Sequence, residues 1–311
     1  MTSLDQQTAV KQTSDGRYQG EITEDWKMWV PVGGYLTSIA LRAAEAASTM
    51  ARPLSVSCHY LHEATFGPVD LAVETLLSTD RVESFLVRMN QGGTDILVAL
   101  VSAAPLGLLG PEMNWLEPPE APPVESLEQT ILDDDVVELM GDQPYFKNLE
   151  FRMIKGLKGS HNYPEIDQLS DEEYMNLRFT PRRDAHIRGW QHMVVEGGSA
   201  SPWVDACRHL IISAGLMFPV VADPFTPPLK FIAPTVNLTA EFHSSHPEEP
   251  WMLGDAFGSY ASDGTLGAEA RMWTQAGDLL ITAHAQLTYH DFSQPKLTER
   301  LQKSWFELNA V

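Results

Sequence analysis

The chain has 311 residues, of which 43% are hydrophobic, and this is sufficient for one large globular domain or two of ordinary size. Its formal net charge of −21 argues against a general affinity for nucleic acid or anionic membranes, because both require a basic protein surface. No apolar run reaches the roughly 18 residues that span a membrane, and the N-terminus lacks a secretory signal pattern. We therefore expect a cytoplasmic protein.

The first predicted unit comprises residues 16–105. Residues 17–30 are expected to form an opening strand, and Gly33-Gly34 then precede a helix whose apolar positions recur at spacings of three and four. Strand-like runs with partial two-residue alternation follow the helix, separated by turns that contain Gly, Pro or Asp. These runs are 54–62, 68–78, 81–90 and 95–103.

Residues 106–144 are predicted to form an acidic, proline-rich linker that is extended and exposed. The segment after the linker is rich in Lys and Arg instead. We interpret this basic segment as a solvated face, and a local patch for an anionic cofactor is the alternative. Its basic residues include Lys147, Arg152, Lys155, Lys158, Arg178, Arg182, Arg183 and Arg188.

The second predicted unit comprises residues 145–292, with an insertion at 156–183, and a tail follows at 293–311. A helix is expected to begin with Ser201 as its N-cap and Pro202 at its first position, and to end at Phe218-Pro219 and Asp223-Pro224. The strand-like runs of this unit are 147–155, 184–195, 234–244, 251–260, 266–274 and 279–289.

An internal repeat relates the two units. Residues 80–103 and 263–286 align without gaps, so that Asp80 matches Asp263 and Met89 matches Met272. Both copies have the pattern of a strand, a Gly-containing turn and a second strand. The order of strand, helix and antiparallel strands thus occurs twice, which predicts an α+β fold with short hairpin connections.

The two cysteines, Cys58 and Cys207, are far apart in sequence and form no metal-ligand or disulfide pattern, so we predict buried thiols. Asp205 and His209 are four residues apart on the second helix, a spacing typical of a surface pair. The strand histidines lack a carboxylate pattern, so we predict no metal site; they are His59, His62 and His243.

Several short motifs occur in a characteristic order and spacing. They are Val32-Gly33-Gly34, His59-Tyr60-Leu61-His62 with Pro68-Val69, the strand Pro234 to His243, Gln275 to Leu280, and Ala283 to Gln286. Together they resemble the acyl-CoA thioesterase II family of the thioesterase-like superfamily. The resemblance implies a double hotdog fold, in which two units each have a central helix wrapped by a curved antiparallel β-sheet.

The resemblance also implies a catalytic trio of Asp223, Thr235 and Gln286, all in the second unit. Asp223 would act as general base on a water molecule that Thr235 and Gln286 hold in line. We expect Gln286 to face inward, and the first copy has Ala103 at the aligned position. The sequence departs from the family pattern at Pro224, where an aromatic residue often stands after the aspartate.

The Gly-Gly motif would contribute to an oxyanion or substrate-binding site through Gly33, Gly34 and Tyr35. Tyr35 is a departure as well, because the family often has Gln there.

The implied function is hydrolysis of an acyl thioester, either an acyl-CoA or an acyl or polyketide chain on a carrier protein, in lipid or polyketide metabolism. No cofactor is expected beyond the CoA or phosphopantetheine of the substrate. An acyl carrier protein is one expected partner class, and exposed sheet surface would allow a homo-oligomer. The alternatives are a hotdog hydratase or dehydratase and a non-catalytic acyl-thioester-binding protein.

Overall fold

Twelve antiparallel strands form one sheet, and two long helices pack against it and against each other. The structure is a computed structural model. It describes residues 2–28, 30–130, 143–156, 170, 173, 179–181, 183–197, 201–225 and 231–291. The predicted insertion and tail therefore lie largely outside the described residues.

The helices are α1 (Leu4–Thr8), α2 (Gly33–Ala47), α3 (Pro144–Lys147) and α4 (Pro202–Ala222), with 3₁₀ turns at Glu24–Trp26 and Val124–Ser126. The strands of the first half are β1 (Val10–Ser14), β2 (Arg17–Ile22), β3 (Arg52–Tyr60), β4 (Gly67–Ser78), β5 (Glu83–Gln91) and β6 (Thr94–Ala104). Those of the second half are β7 (Leu149–Lys155), β8 (His186–Met193), β9 (Phe231–Ile232), β10 (Thr235–Phe242), β11 (Trp251–Ser262), β12 (Thr265–Trp273), β13 (Leu279–Thr288) and β14 (His290–Asp291).

The sheet order shows that the two halves are related by pseudo-symmetry. The order is β1-β2-β4-β5-β6-β3-β10-β13-β12-β11-β8-β7, while β9 and β14 form a separate ribbon. The halves join where β3 pairs with β10, with Cys58 opposite Leu238 and Val56 opposite Ala240. All four of these side chains are buried, so the junction is part of the core.

The two helices approach each other through small residues. A Cβ atom on Gly34 would lie 2.9 Å from Ala214 Cβ and 3.0 Å from Ile211 Cα. Ser38 Oγ donates to the Gly34 carbonyl at 2.8 Å and reaches the Cys207 carbonyl at 3.5 Å. Glycine at position 34 is therefore required by helix packing, because even one methyl group would collide with the backbone of α4.

The start of α4 is as predicted. Ser201 is the N-cap, its Oγ accepts from the Trp203 N–H at 3.2 Å, and Pro202 is the first helical residue. Of the two predicted stops, Phe218-Pro219 is wrong and Asp223-Pro224 is confirmed, because the helix continues to Ala222 and Asp223 is its C-cap. Val220 and Val221 are buried in that last turn. Their burial offsets the local cost of a proline inside the helix.

Helix α4 is apolar enough in length and composition to cross a membrane, contrary to the prediction that no such stretch exists. Of its most apolar stretch, 78% is buried inside the protein. The stretch is therefore explained by the core position of the helix, which is surrounded by α2 and the strands of the second half.

The repeat corresponds to two hairpins, β5–β6 and β12–β13, but it contains a one-residue slip. Asn90 pairs with Asp95 around the first turn, whereas Trp273 pairs with Leu279 around a turn that is one residue longer. Beyond the turn, Ser102 lies opposite Ser55 as Gln286 lies opposite Asn237. The structural counterpart of Gln286 is therefore Ser102, and the predicted match to Ala103 is wrong by one residue.

The linker is exposed in its first part, and its second part combines exposed residues with contacts to the sheet. Large apolar side chains between residues 106 and 116 are exposed, including Leu109 and Trp115. Further along, Val124 packs with Trp190 and Leu253 on the sheet, and Trp190 Nε1 donates to the Pro122 carbonyl at 2.9 Å. The linker is therefore anchored on the sheet around Val124, and the prediction of an extended, exposed segment is corrected at these contacts only.

We expect Gly34→Ala to destabilise the protein by about 1–3 kcal/mol, because the added methyl overpacks the contact between α2 and α4. Gly110→Ala is the matched control, since no atom lies within 4 Å of the corresponding Cβ position. Urea unfolding of both variants measures the difference. Equal stability of the two variants would contradict this account of the helix contact.

Candidate active site

Asp223 lies directly after the last turn of α4, and its backbone N–H donates to the Pro219 carbonyl at 2.8 Å. Its side chain is only 2% exposed, and Oδ1 is 3.6 Å from Arg183 Nη1. A carboxylate is unfavourable at the negative end of a helix, and the nearby guanidinium offsets that cost. The result is a buried carboxylate with a guanidinium beside it at the end of the second-half helix.

Thr235 and Gln286 lie on neighbouring strands but face opposite sides of the sheet. Thr235 is paired with Leu287, which is fully buried against the helices, and a bulge follows before Asn237 pairs with Gln286. Directly opposed residues share a face, so Thr235 is on the helix side. Gln286 is on the outer side, which corrects the expectation that it faces inward.

The outer-face position of Gln286 is stabilised by hydrogen bonds. Asn237 Nδ2 donates to Gln286 Oε1 at 3.3 Å, and Gln286 Nε2 donates to the Tyr260 hydroxyl at 2.8 Å. Tyr260 is 45% exposed and its ring lies over Gly267, where a side chain would collide with it. Gln286 thus connects three strands on the solvent side of the sheet.

The predicted trio is not gathered into one hydrogen-bonded group. Within the described residues, no hydrogen bond joins Asp223 to Thr235 or to Gln286. Asp223 and Thr235 share the helix side of the sheet, and Gln286 does not. The catalytic role of the three residues stays a prediction.

The Gly-Gly motif forms the first turn of α2, with Val32 as the N-cap. A Cβ atom on Gly33 would lie 2.9 Å from the Tyr60 hydroxyl. Tyr35 is fully buried, and its hydroxyl donates to the Gln7 carbonyl at 2.7 Å. The Tyr35 side chain is thus used in the core, and any substrate contact here falls to the backbone N–H groups of the first turn.

Two hydroxyl groups beside Gly33 were not identified from the sequence. The Tyr60 hydroxyl and Thr37 Oγ1 are 2.7 Å apart. Burial raises the pKa of Tyr60 well above its ordinary value, so the phenol stays neutral and remains a donor. Tyr60 belongs to one of the family motifs, which was the available signal, but its pairing with Thr37 depends on the contact between α2 and β3.

The glycine motif and Asp223 are separate in space. Gly34 contacts Ala214, and Asp223 follows nine residues later on α4, which corresponds to about 14 Å along the helix axis. The described structure thus has two groups of candidate residues. One consists of Asp223 and Thr235, and the other consists of the first turn of α2 with Thr37 and Tyr60.

Comparison with known families decides the identity of this arrangement. The acyl-CoA thioesterase N-terminal domain matches residues 22–104, and the acyl-CoA thioesterase C-terminal domain matches residues 127–289. The chain belongs to the acyl-CoA thioesterase family. The two matched domains correspond to the two halves of the sheet, so this thioesterase is a double hotdog and a thioester hydrolase.

Solved structures share this fold at low sequence identity. A hot dog fold protein of unknown function from Alicyclobacillus acidocaldarius has a TM-score of 0.71 and 18% identity, covering 93% of this chain and 98% of its own. A protein described as a thioesterase II from Thermobifida fusca YX has a TM-score of 0.71 and 19% identity, covering 93% and 99%. The acyl-CoA thioesterase II TesB2 from Mycobacterium marinum has a TM-score of 0.70 and 14% identity, covering 94% of this chain and 99% of its own. No curated protein sequence matches the chain.

The Asp205–His209 pair of this thioesterase is buried, contrary to the prediction of a surface pair. Asp205 Oδ1 accepts from Arg208 Nη2 at 2.7 Å, and Oδ2 accepts from Ser245 Oγ at 2.9 Å and from the His246 N–H at 2.7 Å. The carboxylate therefore holds the loop after β10 against α4. Its acceptor capacity is used structurally, which leaves little of it for acid–base chemistry with His209.

Both cysteines are buried as predicted, and burial raises the pKa of each thiol to about 12. At neutral pH these thiols are protonated and unreactive. Cys58 lies on β3 in the core, and Cys207 lies on α4 beside Ser38 of α2.

Acid should destabilise the thioesterase through His209. Burial lowers the pKa of His209 to about 4. Arg208 and His246 also lower this pKa, and Asp205 raises it in part. The unfolded chain takes up this proton near pH 6.5, so stability is lost as pH falls from about 6.5 towards 4. We expect a loss of about 2 kcal/mol from this residue between pH 7 and pH 5.

Urea unfolding at pH 7 and pH 5 measures this loss. His209→Leu should flatten the pH dependence, whereas the exposed control His62→Gln should keep it. An unchanged slope in His209→Leu would contradict the assignment.

Proposed function

We propose that this thioesterase hydrolyses its acyl thioester with Asp223 as general base. The observation that carries the proposal is the buried carboxylate at the end of α4, with its side chain 2% exposed and with Arg183 beside it. A positioned general base contributes roughly 10²–10⁴ in rate.

In this proposal the Thr235 hydroxyl orients the attacking water. Thr235 stands at the start of β10 on the same side of the sheet as α4, and the bulge at residue 236 turns the strand at that point. Its counterpart in the first half is Pro53, which pairs with Ala103. Proline offers neither a hydroxyl nor a backbone N–H. The difference supports a single catalytic group, in the second half.

We assign Gln286 a positioning role. Its amide is hydrogen-bonded to Asn237 and Tyr260 on the outer face and has no described contact with Asp223. Because Asn237 is the residue that follows the β10 bulge, the Gln286–Asn237 bond stabilises the backbone that presents Thr235. Gln286 would act on the reaction through Thr235.

The first turn of α2 is assigned to substrate binding. The amide N–H groups of Gly33 and Gly34 and the hydroxyls of Thr37 and Tyr60 are close together. Helix α4 advances by about 14 Å between Ala214, which contacts Gly34, and Asp223, so we assign these donors to the rest of the substrate and not to the oxyanion at the reacting carbonyl. Amide and hydroxyl groups of a CoA or phosphopantetheine arm are suitable ligands for these donors.

The proposal includes both acyl-CoA and carrier-bound chains as substrates and a cytoplasmic location. An acyl carrier protein would be a partner in the second case only. Thiol release from matched CoA and carrier thioesters distinguishes the two classes.

Asp223→Asn should lower kcat by about 10²–10⁴, because the amide cannot accept the proton of water. Asp278→Asn is a control, since its carboxylate is more than half exposed. Thiol release with an acyl-CoA panel measures both, and circular dichroism checks the fold. Full activity of a folded Asp223→Asn variant would reject the assigned base, and saturable binding without any thiol release in the wild type would reject hydrolysis.

Gln286→Ala should lower kcat about 10- to 100-fold with little change in KM, because Thr235 would be less well positioned. Tyr260→Phe removes only the hydroxyl that accepts from Gln286 and keeps the Asn237 contact, so kcat should stay within about 2-fold. If Gln286→Ala matches Tyr260→Phe, the positioning role is wrong.

A further inference from the structure

A chain of three side chains crosses the outer face of the second half, away from the groups described above. Lys155 Nζ is 2.8 Å from His186 Nδ1, and His186 Nε2 is 2.7 Å from Asp255 Oδ1. These residues belong to β7, β8 and β11, which are neighbours in the sheet. An amine, an imidazole and a carboxylate are therefore aligned in that order.

The hydrogen-bond partners determine the tautomer of His186. A lysine ammonium group only donates, so Nδ1 of His186 must be the acceptor, and the ring proton is on Nε2 and is donated to Asp255. The imidazole thus presents a lone pair to Lys155 and is held from behind by a carboxylate. This is the relation of nucleophile, base and orienting group that activates nucleophiles in enzymes.

The base and its orienting group are firmly held. Asp255 is 5% exposed, and Arg188 donates to both of its oxygens, from Nε at 2.8 Å and from Nη2 at 3.3 Å. The His186 ring stacks on Phe257 with centroids 4.3 Å apart. These contacts restrict rotation of the ring, so Nδ1 stays directed at Lys155.

The amine itself is accessible. The Lys155 side chain is 45% exposed, and among the described residues it also forms an ion pair with Asp184, whose carboxylate is 3.7 Å away and 88% exposed. An exposed ion pair of this kind is weak. A thioester in solution can therefore reach Nζ without displacing a buried partner.

We propose that Lys155 is a nucleophilic lysine that becomes acylated by acyl thioesters, with His186 as its base. The ammonium form first loses one proton to water through His186. Nζ then attacks the carbonyl carbon, the N–C bond forms and the C–S bond breaks. The second amine proton passes to His186 Nδ1 and from there to the leaving thiolate, so the products are a Lys155 amide and a free thiol.

Acylation would remove the positive charge of Lys155 and the donor to His186 on this face. The inference rests on the proposed function only for the class of acyl donor. It concerns a group separate from Asp223, so the two proposals can fail independently.

The test is peptide mass spectrometry of the full-length protein incubated with acetyl-CoA. The Asp223→Asn variant is used beside the wild type, so that hydrolysis does not consume the donor. The exposed Lys11 of β1 is the internal reference. We expect Lys155 to be acetylated at least about 100-fold faster than Lys11, which is the lower end of the range for a positioned base.

His186→Gln and Asp255→Asn should reduce the Lys155 rate to that of Lys11, and thermal unfolding checks that both variants are folded. Lys155→Arg should remove the modified peptide and retain thiol release. Equal rates at Lys155 and Lys11 in the wild-type protein would overturn the proposal, whatever the fate of the variants. Hydrolysis by the Asp223→Asn variant would refute Asp223 as the general base of hydrolysis and would leave the proposal for Lys155 unaffected.

Discussion

The pairing of β3 with β10 is the constraint on which the rest of the structure depends. Without this pairing, β3 would be the edge strand of the first half and β10 that of the second. The junction pairs the free backbone N–H and C=O groups of both strands. Once the two sheets are continuous, their helices lie on the same side and must share one interior. The close contact at Gly34 follows from that geometry, since α2 and α4 have no space for larger residues between them.

The shared interior explains why the two halves differ chemically while they agree in fold. Both have a bulge at the start of the strand that joins them, between Pro53 and Ser55 and between Thr235 and Asn237. The bulge is a feature of the backbone, and the residue before it is Pro53 in the first half, which has no hydroxyl group, and Thr235 in the second. Duplication thus supplied the scaffold, and substitution at equivalent positions created the candidate active site.

Most described basic side chains after the linker are paired with neighbouring groups in this acidic protein. The cations that the sequence placed after the linker are largely engaged with neighbouring groups: Arg152 with Glu150 and the docked linker, Arg188 with Asp255, and Arg183 with Asp223. They do not form a free anionic-cofactor patch within the described residues. Two of these pairs stabilise the last strands of the sheet, and the third accompanies the buried carboxylate of the proposed reaction.

Periodicity and turn residues were enough to predict both long helices and the main strands, because these signals are local. The same reasoning failed where a single residue changes the outcome. One extra residue in the β12–β13 turn shifts everything after it to the other face of the sheet, so Gln286 faces solvent. Asp205 and His209 have a spacing typical of exposed helix positions, yet α4 is covered on all sides.

By itself, the sequence determined the duplicated helix-plus-sheet unit, the family resemblance and the residue types of the candidate site. Those properties depend on patterns along the chain. The tertiary structure decided which faces the residues occupy, that Tyr35 belongs to the core, and that Tyr60 and Thr37 lie beside Gly33. Such contacts join segments that are distant in sequence, and their register depends on bulges and turn lengths that local propensity does not encode.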